Sequence, residues 1–136
     1  EQIQFSFRSS PPPHQFLPVL LHLNDCYILW YQYYQILPKI HRHTIGQTTD
    51  NLFIESIEAI SVAGFLQKSD KIPFVRLAIR KIDTIKIFLL VLWETKSLDN
   101  KKYISLSEKL DPIGRMLGGW LGQLQKQNSP TKAGEK

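Results

Sequence analysis

The sequence predicts an all-α protein, folded as an antiparallel up-down-up-down four-helix bundle. Three observations carry that prediction. Apolar residues recur at steps of three and four along four long stretches. Short turns separate the stretches, which places consecutive helices side by side and antiparallel. Sustained period-two alternation and Asn-Gly or Asp-Gly hairpin turns are missing from the sequence.

Residues 1–15 read as a disordered segment. Ser9, Ser10 and the run Pro11, Pro12, Pro13 favour coil or polyproline II. The bundle itself is expected over 16–126. Its first helix spans 16–37, with the stripe Phe16, Leu20, Leu23, Tyr27, Trp30, Tyr34 and Leu37. Pro18 suits the first turn, and Pro38 stops the helix because proline offers no amide and disfavours helix before it.

The second helix is expected over 42–66. Ile45, Leu52, Phe53, Ile54, Ile57, Ile60, Val62, Phe65 and Leu66 wrap more than one face, as in a helix that touches two neighbours. The third spans 72–96, with Ser69 or Asp70 as cap and Pro73 in its first turn. Its seam is Val75, Ala78, Ile82, Ile85, Leu89 and Leu92.

The fourth helix spans 101–125, on Tyr103, Leu106, Leu110, Ile113, Leu117, Trp120 and Leu124. Pro112 is expected to interrupt it. Across the same stretch run Gly114, Gly118, Gly119 and Gly122. A glycine within a helix costs about 1 kcal/mol relative to alanine. Repeated acceptance of that cost points to close backbone packing, between helices or subunits, involving these glycines and Trp120. The polar tail 127–136 reads as disordered.

Charge is lopsided. Residues 1–66 hold three Lys or Arg against five acids, and residues 67–136 hold fourteen against seven. A basic excess confined to half of the chain suggests a polyanionic partner. One cysteine, Cys26, leaves no internal disulfide framework and fits a reducing cytoplasm. The longest apolar run, 87–93, is far short of the roughly 20 residues that span a bilayer. The start of the chain lacks the basic flank and apolar run of a secretory signal.

Catalytic and metal chemistry find no foothold. His14, His22, His41 and His43 form no Glu-x-x-His pair of the kind that builds carboxylate-bridged metal sites in bundles. Cys26 stands beside Asp25 with no cationic helper in sequence, which suits an inert half-buried thiol. Neither a Gly-x-Ser-x-Gly elbow nor a phosphate-cradling Gly-x-x-x-x-Gly-Lys loop is present. No enzyme, cofactor or metal is expected.

Two stretches resemble a known family. Leu37-Pro38-Lys39 with Arg42-His43-Thr44-Ile45-Gly46-Gln47, and above all Ile113-Gly114-Arg115-Met116-Leu117-Gly118-Gly119-Trp120, are similar to the accessory protein of diversity-generating retroelements, Avd. The resemblance covers roughly 17–125. The Pro-Lys entry is shared with the small four-helix bundles encoded in intervening sequences of 23S ribosomal RNA. Their Ile-Ala-Glu-Gly signature is missing from 54–61, which favours the retroelement branch. Thr48 and Val91 stand where that branch often carries basic residues, and Pro112 is unusual within the motif.

The resemblance implies a basic, barrel-shaped homopentamer without catalysis of its own. It would bind RNA or DNA and the element's reverse transcriptase, supporting mutagenic copying of a template RNA. On this reading Lys39, Arg42, Arg76, Arg80, Lys81 and Arg115 form the electrostatic footprint for phosphates. Arg80 has Asp83 as an alternative partner on its own helix. Tyr31 and Tyr33 lie off the first helix's seam and are candidates for contact with a subunit or partner. The rival reading is a protein-interaction scaffold, or a ribosomal intervening-sequence type bundle, without a direct RNA role.

Overall fold

A computed structural model describes residues 16–127, with side chains from 18 onward. The two expected disordered segments, 1–15 and most of 127–136, lie outside the described residues. Among the described residues five helices follow in order: α1 (Phe16–Gln35), α2 (Lys39–Arg42), α3 (Ile45–Gly64), α4 (Lys68–Glu94) and α5 (Asn100–Gln127). No strand occurs among the described residues. α1 packs on α3 and α5, and α4 packs on the same two, so the four long helices close a square. The single turn α2 rides on the start of α3.

The core follows from the apolar periodicity. α4 buries Val75, Ala78, Ile82, Ile85, Leu89 and Leu92, and α5 buries Leu106, Leu110, Ile113, Leu117, Trp120 and Leu124. Each Val, Leu or Ile among them contributes about 1.5–3 kcal/mol on burial. In α1 the innermost line is Val19, Leu23, Cys26 and Trp30, and Leu37 continues it in the turn beyond. Leu20, Tyr27 and Tyr34 are half-buried at its flank. Tyr27 and Trp30 pack against Phe53 of α3, at ring separations of 5.8 and 5.7 Å.

α3 is less apolar inside than its sequence suggests. It buries Gly46, Thr49, Phe53, Ser56, Ala59, Ile60 and Ala63, whereas Ile54, Val62 and Phe65 are exposed. Thr49 and Ser56 enter the core because each hydroxyl donates to a carbonyl one turn back, at 2.7 and 2.8 Å. Such pairing removes the penalty for a buried polar group.

Two helix starts differ from the sequence reading. α3 starts at Ile45 because the chain makes the separate turn α2 first and breaks at His43 and Thr44. The break lets α3 begin hard against the end of α1. A Cβ on Gly46 would stand 2.6 Å from the His41 carbonyl oxygen and 2.8 Å from Leu37 Cδ1, so only glycine fits. α4 starts at Lys68, earlier than expected, with Gln67 as an N-cap whose side chain makes no cap bond. Asp70 then lies in the first turn, where its charge suits the helix dipole. Pro73 lies inside the helix.

Pro112 does not interrupt α5, which runs unbroken from Asn100 to Gln127. The proline withdraws one amide from the Glu108 carbonyl, and Glu108 is exposed, where water can serve that oxygen. Ile113, Leu117 and Trp120 beyond it are buried, and their packing offsets the lost bond.

Candidate nucleic-acid interface

In an antiparallel bundle the first and third turns share one end. Here those turns are both basic. The first supplies Lys39, His41, Arg42 and His43, and the third supplies Lys96, Lys101 and Lys102. A hydrogen bond between His41 Nδ1 and Ser97 Oγ ties the two turns together. Lys102 lies over the ring of Tyr33, its ammonium 5.6 Å from the centroid, which joins the start of α5 to the end of α1. Lys39, His43, Lys96 and Lys101 are exposed on this end. Glu94 and Asp99 are the carboxylates beside them, and Asp99 is engaged as a cap, accepting the Lys102 amide at 2.9 Å.

The turn that carries Lys96 is a Schellman closure. The Ser97 amide donates to the Leu92 carbonyl at 2.8 Å and the Lys96 amide to the Trp93 carbonyl at 3.0 Å. Lys96 occupies the left-handed position with φ of 71°. Glycine is the residue that usually fills such a site, because a Cβ there costs roughly 1–2 kcal/mol. A cation is thus held in a strained conformation at this basic end, as strain often is at functional positions.

The six footprint residues do not form one patch. Lys39 is exposed at the basic end. Arg42 is there too, but its Nε and Nη2 donate to the Leu37 carbonyl, in the turn after α1, at 3.3 and 3.0 Å. Lys81 faces α3 and pairs with Glu55 at 2.9 Å. Arg76 and Arg80 lie on the outer face of α4, and Arg115 on the outer face of α5. All three are exposed and make no ion pair among the described residues; Arg80 does not bridge to Asp83.

Lys96, Lys101 and Lys102 escaped the sequence reading. The signal was there: alternate turns of an up-down-up-down bundle meet at one end. Linear charge counting did not use it.

The glycines of α5 are placed unevenly. A Cβ on Gly118, Gly119 or Gly122 would meet nothing within 4 Å, and one on Gly114 would approach only the Lys86 ammonium, at 3.2 Å. Among the described residues these glycines therefore satisfy no close helix contact, while Trp120 is buried in the core at 2% exposure. Tyr31 is half exposed, and Tyr33 is partly covered under Lys102.

Elsewhere the side chains are chemically quiet. Burial pushes the Cys26 thiol up to about 12, so the reactive thiolate is scarce at neutral pH. Among the described residues no group of three His, Cys, Asp or Glu gathers as a metal site, and no helix is long and apolar enough to cross a membrane. Compared with known protein families, with curated proteins and with solved structures, the chain matches none.

Proposed function

We propose that this chain is a non-enzymatic accessory protein of a diversity-generating retroelement, which binds nucleic acid through the basic end of its bundle. The observation that carries the reading is the convergence of Lys39, His43, Lys96 and Lys101, all exposed, from two turns far apart in sequence. Clustered cations release counterions from a phosphodiester chain, and that release drives binding without reading sequence. The basic second half of the chain and the Ile113–Trp120 motif point the same way.

In this reading the protein assembles as a cytoplasmic homo-oligomer, a pentamer in the resembling family, and holds template RNA or cDNA for the reverse transcriptase. The unfilled glycine stripe of Gly118, Gly119 and Gly122 supports a contact between subunits. Leu21 and Ile28 of α1, Ile36 in the turn after it and Ile104 of α5 are exposed and offer the polymerase an apolar surface.

Binding of a labelled RNA measured against salt tests the reading. The wild type should lose affinity steeply as salt rises, and Lys39/Lys96/Lys101→Glu should bind weakly with a flatter slope. An Arg76/Arg80→Glu variant separates the outer face of α4 from the basic end. Wild-type protein that ignores RNA at low salt, or a triple variant that binds like it, would overturn the reading. Copurification with a reverse transcriptase after nuclease and high salt tests the protein partner separately.

A further inference from the structure

We propose that the hollow beside Trp93 receives one unpaired base of a single-stranded RNA or DNA, and prefers guanine. This deepens the nucleic-acid reading above and rests on it. The hollow lies where α4 ends and α5 begins. It is lined by Trp93, Glu94, Lys96, Leu98, Asp99 and Asn100, and its volume is ≈ 580 Å³, within the usual size range of small-ligand sites.

Trp93 is built as a platform. It is 37% exposed, whereas Trp30 and Trp120 are 0% and 2% exposed. One face stacks on Tyr103, at 5.3 Å between ring centroids and 24° between planes. Its only polar atom, Nε1, donates to Asn100 Oδ1 at 2.7 Å. The ring is therefore fixed before any ligand arrives, and the ordering cost of binding is already met. An indole so held, open on a basic rim, is the surface on which an unpaired base stacks.

The edge of the hollow selects the base. Glu94 makes no ion pair among the described residues, so its two oxygens are available as acceptors. Guanine presents two adjacent donors, N1–H and N2–H, that match a carboxylate. Adenine and cytosine set an acceptor beside their amino group, and uracil has a single ring N–H between two carbonyls. Asn100 spends its oxygen on Trp93 and keeps its amide N–H groups, which suit guanine O6. Lys96 and Lys101, exposed at the rim, meet the flanking phosphates. Duplex bases are stacked and paired and do not enter such a hollow.

The full chain is titrated with the short RNAs UUGUU, UUAUU and UUUUU and with a duplex, following tryptophan fluorescence and anisotropy. Trp93 is the exposed indole, so UUGUU should quench strongly and bind about tenfold tighter than UUUUU. Trp93→Phe should remove the quench, and Glu94→Gln should abolish the preference while both RNAs still bind. Trp93→Ala should weaken UUGUU roughly tenfold with unchanged circular dichroism. Equal affinity for every pentamer, or a preference that survives Glu94→Gln, would overturn the base pocket and leave the electrostatic reading standing. No binding of any RNA at low salt would overturn both.

Discussion

Lys71 sends its ammonium onto the carbonyl oxygen of Ala63, at 2.7 Å, so the first turns of α4 close the last turn of α3. Lys71 is 7% exposed. It serves one of the carbonyls that every helix C-terminus leaves open, and its charge favours the negative end of the α3 dipole.

Removing that contact leaves the Ala63 carbonyl buried without its donor. Lys71→Met should lower stability by about 1–3 kcal/mol at neutral pH, read from urea unfolding. Burial holds the Lys71 pKa below its usual value of 10.5. A depressed lysine gives its full contribution above the unfolded pKa and loses it as pH falls through the folded one. The advantage of wild type over Lys71→Met should therefore grow as pH rises toward 10.5. A pH-independent difference would show that the burial cost is negligible.

Gly46 and Gly118 should respond oppositely to alanine. At Gly46 the new methyl would strike the His41 carbonyl and Leu37, and overpacking of this kind costs about 1–3 kcal/mol. At Gly118 the methyl meets open space, so Gly118→Ala should stabilise an isolated protomer by up to about 1 kcal/mol. Gly118→Leu should disperse the proposed oligomer in light scattering while the thermal midpoint of the protomer holds. Intact oligomers in that variant would take the glycine stripe out of the interface.

Lys96→Gly should relieve a left-handed backbone and raise stability by about 0.5–1 kcal/mol, since glycine adopts that conformation freely. The same substitution should weaken RNA binding. A gain in stability paired with a loss in binding is the signature expected of strain kept for function. Chemical denaturation and anisotropy on one preparation check both.

Tyr27 should ionise late. Desolvation first, and then the nearby Asp50 carboxylate, push its phenol up to about 12. A raised tyrosine supports the fold fully below its unfolded pKa and loses that support as pH climbs through the folded value. Alkaline titration of tyrosinate absorbance should show a class near pH 12 that disappears in Tyr27→Phe. Wild-type stability should fall across the window from 10 to about 12 more steeply than that of Tyr27→Phe.

Apolar spacing alone marked the seams of α4 and α5, because a helical stripe buries the same residues whatever the neighbours are. Val75 through Leu92 and Leu106 through Leu124 were legible for that reason. Other features depend on what stands opposite. Pro112 reads as a break, yet α5 continues through it, with buried side chains packed on both sides. Ile54, Val62 and Phe65 read as core by type, yet they face outward because Thr49 and Ser56 satisfy their hydroxyls within the helix and take the inner positions.

The candidate site divides the same way. Sequence supplied its chemistry: a basic second half, a Pro-Lys entry and a family-like motif in the last helix. Tertiary structure decided which charges meet, drawing Lys39 and Lys101 to one end, turning Arg42 onto a backbone carbonyl and Lys81 onto Glu55. It also placed the sterically required glycine at 46, where two chain segments touch, and left Gly118 facing open space. Periodicity along a helix is a local property that the chain states by itself. Convergence of charges and close approach of backbones are distances between segments, and only packing sets those.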